Sequence, residues 1–157
     1  LLYSGAGEAR GMRADIAQPI VIIDDSYEDV EITTHLLKEL GVGHPLVHLP
    51  SGAATRRYIQ NRGNDREGAR PAFILLDLNL PVVHGYDLLS EIRRSDWGRT
   101  VPVLILSTSN NPKDVERCSA SGANSFFTKP VDFDKQRAML AVICDYWLKY
   151  AEAPLSA

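Results

Sequence analysis

Cysteine is scarce in this 157-residue chain, and the two that occur, Cys118 and Cys144, lie far apart. No apolar leader accompanies them, a pattern that suits reduced thiols packed into helices of a cytosolic protein rather than a disulfide framework. Long apolar runs are missing as well. None reaches the roughly 20 residues that span a bilayer, so no membrane role is expected. Clusters of Lys and Arg interleaved with aromatics are absent, and 17 basic against 20 acidic residues leave a net charge of −3 and a pI near 5.8. A surface able to neutralise a phosphate backbone is therefore not visible, and nucleic acid is not expected as the direct partner. The four histidines, His35, His44, His48 and His84, show neither helical ligand spacing nor cysteine partners, which argues against zinc. Internal repeats and low-complexity linkers are absent too. With 45% hydrophobic and 24% charged residues, the rest reads as one ordinary soluble globular domain with room for one good core.

What is present is concentrated at the ends of three apolar runs. Phe73-Ile74-Leu75-Leu76 ends in Asp77, Ile20-Val21-Ile22-Ile23 ends in Asp24-Asp25, and Val103-Leu104-Ile105-Leu106 ends in Ser107-Thr108-Ser109. Unbroken runs of this length, rich in β-branched residues, read as strands buried on both faces. Three strands thus carry oxygen ligands to one edge.

The punctuation between these runs predicts helices. Ser26, with Asp29 three residues later, opens a helix whose apolar face (Val30, Leu36, Leu37, Leu40) stops at Gly41. A short strand over Leu46–Leu49 leads to a helix over about 52–61, and the polar stretch 62–70 reads as a loop. Leu88, Leu89 and Ile92 mark a third helix from Gly85. A strand over 102–106 follows. Asn111-Pro112 supplies an N-cap and a first-turn proline for a fourth helix ending before Gly122. Ser125–Thr128 reads as a last strand, and Asp132 caps a long final helix. Residues 1–18, rich in Gly and Ala, read as a tail or arm, and 151–157 as a second tail. Five strands alternating with five helices imply an α/β fold, a doubly wound parallel sheet, because parallel neighbours need helical crossovers. Such folds bind ligands beyond the carboxyl ends of their strands.

The ordered set Asp24-Asp25, Asp77, Ser107 and Lys129-Pro130 resembles the signature of the receiver domain of bacterial response regulators, over residues 19–150. Taken alone, each element has a bland reading, the acidic pair as a helix cap and Lys129 as a solvated charge. Their coincidence in order carries the resemblance. It implies the flavodoxin-like (βα)5 order 2-1-3-4-5 and a phosphoryl group accepted on Asp77 from a sensor histidine kinase. It also implies a Mg²⁺ ion, replaceable by Mn²⁺ or Ca²⁺, on Asp24, Asp25, Asp77 and the Asn79 carbonyl, with Asp24 acting directly or through water. Lys129 and Ser107 would meet the phosphoryl group, and the amides of Leu78 and Thr108 would complete its cradle. Phe126 would be the switch aromatic, without the hydroxyl of a tyrosine, and the Lys129–Pro130 bond would be cis. Aspartate is a weak nucleophile, so such transfer depends on positioning and charge neutralisation.

The chain ends seven residues after Tyr150, so no output domain is expected and signalling would pass through a downstream protein. The final helix carries two apolar stripes: Phe133, Leu140, Cys144 and Trp147, and beside it Met139, Ile143, Tyr146 and Tyr150. The surplus is read as a homodimer seam formed by Met139, Ile143, Tyr146, Trp147 and Tyr150, the alternative being packing on the amino-terminal tail. Leu-Asp-Leu-Asn-Leu-Pro, Ser-Thr-Ser, Gly-Ala-Asn-Ser, Lys-Pro-Val and a terminal Tyr-Trp-Leu resemble the regulators that accompany bacterial phytochrome kinases, which implies a bacteriophytochrome as kinase. A phosphate carrier passing its group to a histidine phosphotransfer protein would use the same site. A phosphatase of the aspartyl-phosphate class would need a second aspartate where Asn79 stands and a hydroxyl residue where Pro81 stands. The expectation is a signalling protein, not an enzyme.

Overall fold

In a computed structural model, residues 18–64 and 69–152 are described, so the tail expected over 1–18 lies outside the described residues except for Gln18, and most of 151–157 does too. Five parallel strands alternate with five helices: β1 (Ile20–Ile23), α1 (Tyr27–Glu39), β2 (Leu46–Leu49), α2 (Gly52–Asn64), β3 (Phe73–Leu76), α3 (Gly85–Arg94), β4 (Val103–Ser107), α4 (Pro112–Ala120), β5 (Ser125–Thr128) and α5 (Phe133–Cys144). The sheet order is β2-β1-β3-β4-β5, as the flavodoxin-like expectation requires.

Successive side chains along each central strand divide between two cores, which is why both faces needed apolar residues. Val21, Ile23, Ile74, Leu76, Val103 and Ile105 pack with Leu88, Leu89 and Ile92 of α3 and with Cys118 of α4. Ile20, Ile22, Phe73, Leu75 and Leu104 pack on the opposite face with Leu36 and Leu37 of α1 and with Leu140, Ile143 and Cys144 of α5. The apolar side chains buried here each contribute roughly 1.5–3 kcal/mol, so the central strands set the stability of the sheet.

Caps fall where the residue types place them. Ser26, Asn111 and Asp132 each accept a first-turn amide of α1, α4 and α5. Gly122, at φ 94°, ends α4 in a conformation that side chains avoid.

Three expectations need correction. First, α2 runs past residue 61 to Asn64, because Arg62 donates back to the Tyr58 hydroxyl at 3.1 Å and lays its guanidinium 5.3 Å from that ring, giving the last turn partners that an apolar pattern does not record. Second, no cis peptide occurs among the described residues, so Lys129–Pro130 is trans. That is the lower-energy isomer of an X–Pro bond by about 0.5–1 kcal/mol, and it leaves the Lys129 amide bonded to the Ser107 carbonyl at 2.8 Å. Third, Ile143 is only 1% exposed and belongs to the α1–α5 core, so it cannot form a seam, while Met139 and Trp147 are half-buried against the same core. The outward face is instead Val142, Tyr146 and Tyr150 at helical spacing, the two tyrosines 55% and 77% exposed. Beyond Cys144 the helix widens into a π-helical turn over Asp145–Tyr150, closed by the Ala151 amide on the Tyr146 carbonyl.

Candidate functional site

Register places the acidic residues together. Ile23 lies opposite Leu76 across the β1–β3 pair, so the next residues, Asp24 and Asp77, emerge side by side. Ser107 lies opposite Thr128, so Lys129 leaves β5 beside them. Asp24 and Asp77 are buried, Ser107 fully so, whereas Asp25 is exposed.

The side chains converge as the pattern implied. The Lys129 ammonium donates to Asp24 Oδ2 at 2.7 Å, to Asp29 Oδ2 at 2.9 Å and to Asp77 Oδ2 at 3.2 Å. Burial alone pushes this ammonium down, but the bonds to Asp24 and Asp29 and the charge of Asp77 outweigh it and hold the pKa above the ordinary lysine value. Asp24 Oδ1 accepts the Ser26 amide at 2.9 Å, and Asp77 Oδ1 accepts the Asn79 amide at 3.0 Å. The loop after Asp77 is pressed close by Gly85, where an added Cβ would lie 2.6 Å from the Asp77 carbonyl oxygen.

Oxygens of Asp24, Asp25 and Asp77 all lie within 4.8 Å of one another. Hard carboxylate oxygens around one point, with a single lysine against three aspartates there, form a donor set suited to a small divalent cation. Ser107 and Thr108 complete the rim. Ser107 Oγ accepts the Ser109 amide at 3.2 Å, and Thr108 Oγ1 accepts from the Asn79 side chain at 3.1 Å. Phe126 does not join this cluster. It is half-buried on β5 against the α2–α4 core.

Two neighbours were missed from sequence. Asp29, read as a helix-start residue, is a third carboxylate on Lys129. His48, read as a strand residue and weighed as a metal ligand, donates Nε2–H to the Asp24 backbone carbonyl at 2.8 Å and ties β2 to the loop carrying the acidic pair. In sequence, nothing beyond its place one helical turn after Asp25 marks Asp29.

The family profile described as the response regulator receiver domain matches residues 20–141. The chain belongs to the response regulator receiver family. Receivers are the phosphoacceptors of two-component signalling. Response regulator Rcp1 of Synechocystis sp. is 32% identical over 135 residues, covering 86% of this chain and 92% of Rcp1. The Mn(2+)-bound form of Rcp1 superposes with a TM-score of 0.76 at 31% identity, over 87% of this receiver and 99% of that chain. The phosphorylated cyanobacterial phytochrome response regulator RcpA does so with a TM-score of 0.79 at 29% identity, over 88% and 99%. The receiver domain of the sensor histidine kinase PA1611 from Pseudomonas aeruginosa, with magnesium in its active-site cleft, gives 0.65 at 26% identity, over 84% and 98%.

Proposed function

We propose that Asp77 is the phosphoacceptor of this receiver, taking the group from the phosphohistidine of a sensor kinase. The observation that carries the reading is the convergence of Asp24, Asp77 and Lys129 at the carboxyl edge of the sheet. In the transfer, an Asp77 oxygen bonds to phosphorus as the phosphorus–nitrogen bond to the kinase imidazole breaks, and the electron pair of that bond returns to the ring nitrogen. Asp24, Asp25, Asp77 and the Asn79 carbonyl would hold the cation, Mg²⁺ with Mn²⁺ or Ca²⁺ as substitutes. When bound, it neutralises the charge shared by carboxylates and phosphoryl oxygens.

The chain's own groups do the positioning. Lys129 contributes a fixed positive charge that turns from Asp77 to a phosphoryl oxygen. Ser107 keeps its hydroxyl proton free to donate, since among the described residues its side chain only accepts, from the Ser109 amide. The Leu78 and Thr108 amides lie on the loops that flank Asp77 and supply further donors. Phe126, lacking a hydroxyl, takes part in any switch through packing alone.

Kinship with Rcp1 and RcpA supports a phytochrome-type histidine kinase as the donor, in the cytoplasm, with the signal passed on by protein contact. The exposed row Val142, Tyr146 and Tyr150 supports a homodimer through α5. A downstream protein would then meet a dimeric receiver.

The reading is tested by incubating the protein with Mg²⁺ and acetyl phosphate and measuring intact mass. A phosphoryl adduct is expected on the wild type, with none after chelation of the cation and none on Asp77→Asn, which keeps its fold. Full labelling of Asp77→Asn would remove Asp77 from the role. Light-dependent transfer from a bacteriophytochrome kinase tests the donor.

A further inference from the structure

The Lys129 ammonium has three N–H donors, and all three are spent: on Asp24 at 2.7 Å, Asp29 at 2.9 Å and Asp77 at 3.2 Å. Two of those acceptors, Asp24 and Asp77, belong to the cluster whose oxygens suit a cation; Asp29 does not. Cation and ammonium therefore contend for the same two carboxylates. An ammonium in a buried site is unfavourable without an acceptor, so Lys129 needs one outside the cluster whenever those oxygens are claimed.

Asp29 is built for this. It sits in the first turn of α1, where its backbone amide is held by the Ser26 hydroxyl at 3.2 Å, so its place beside Lys129 is set by the helix start and not by membership of the cation cluster. Its side chain is 43% exposed, against 7% for Asp24 and 10% for Asp77, so solvent shares the burden of its charge when Lys129 leans on it. We propose that Asp29 is a positioning residue that retains the Lys129 ammonium when Asp24 and Asp77 turn to the cation, and so sets how readily the cation enters. The proposal rests on the phosphotransfer reading above. It assigns Asp29 a part beyond starting a helix.

Without Asp29, the ammonium has only Asp24 and Asp77, and the cation must strip it from both. The test is calorimetric titration of Mg²⁺ alone into the full chain in four forms: wild type, Asp29→Asn, Lys129→Met and the double variant. Asp29→Asn is expected to weaken Mg²⁺ binding about tenfold, the scale of one charge-assisted hydrogen bond. In the Lys129→Met background the same change is expected to cost no more than about threefold, the through-space effect of one partly exposed charge. Asp29→Glu, which keeps the charged acceptor that Asp29→Asn reduces to a neutral amide oxygen, is expected to restore most of the wild-type affinity. Equal losses in both backgrounds would show that Asp29 contributes charge alone and would overturn the proposal, as would unchanged affinity in Asp29→Asn. A wild type that does not bind Mg²⁺ would overturn the phosphotransfer reading and this proposal together, which separates the two failures. Circular dichroism checks that each variant folds, and Lys129→Gln replaces Lys129→Met if the latter does not.

Discussion

At the scale of single residues, Val82 shows what strain costs in the loop after the phosphoacceptor. Its φ is 74°, in the left-handed region where a β-branched side chain crowds its own backbone, and the side chain is 104% exposed and so buries nothing in return. Val82→Asn keeps a side chain but tolerates that conformation, and is expected to raise stability by about 1 kcal/mol. A higher urea midpoint with an unchanged slope checks it, and an unchanged midpoint would mean the conformation costs Val82 nothing. The residues that sequence exposed were those at strand ends, because the acidic pair, the aspartate, the hydroxyl and the lysine follow four strands in the order of one signature, whatever reading each has alone. Asp24, Asp77 and Lys129 were legible on that ground. Asp29 and His48 were not, since each already has a sufficient local explanation, one as a helix-start acid and the other as a strand residue. The trans bond at Pro130 is beyond sequence for a related reason. The two isomers differ by so little that the packed surroundings decide.

Among the elements, α5 carries the most readable chemistry. Burial pushes the Cys144 thiol up to about 11, with the charge of Asp145 adding to the rise and Lys149 opposing it. In the unfolded chain a cysteine titrates near about 8.5. Below that value both states hold the proton, and between the two values only the folded state does, so Cys144 stabilises the fold at neutral pH and its contribution is lost as pH rises toward 11. The drop in urea midpoint from pH 8 to pH 10.5 is expected to be smaller in Cys144→Ala than in the wild type. Equal drops would mean the thiol does not sense its burial. Element boundaries were legible wherever a cap or a glycine marked them, as at Ser26, Asn111, Gly122 and Asp132. They were not legible where side chains extended a helix by contact. Arg62 carries α2 onward by bonding to Tyr58, and the π-helical turn after Cys144 arises from a backbone bond spanning five residues, from Ala151 to Tyr146, which leaves no periodic trace.

For the whole molecule, the parallel sheet and the location of the site followed from the alternation of strands with helices that the sequence displays, while the strand order came only with the resemblance to receivers. Parallel pairing then puts every strand's carboxyl end on the same edge. Assembly was harder to read, because an α5 with apolar residues over a wide arc does not announce which of them face the sheet. The structure divides them: Leu140, Ile143 and Cys144 face inward, Met139 and Trp147 line the border, and Val142, Tyr146 and Tyr150 face outward. That division makes the proposed dimer testable against the fold itself. Val142→Asp with Tyr146→Asp places charge on the outer row only, and is expected to halve the mass measured by light scattering while leaving thermal stability at low concentration nearly unchanged. Ile143→Asp, one position along the same helix, puts an unpaired carboxylate into the core. It is expected to cost about 3–5 kcal/mol and to unfold the chain rather than merely separate it. If the outer-row variant keeps the wild-type mass, the exposed row is not a homodimer seam. If it unfolds as Ile143→Asp does, the assignment of inward and outward faces on α5 is wrong.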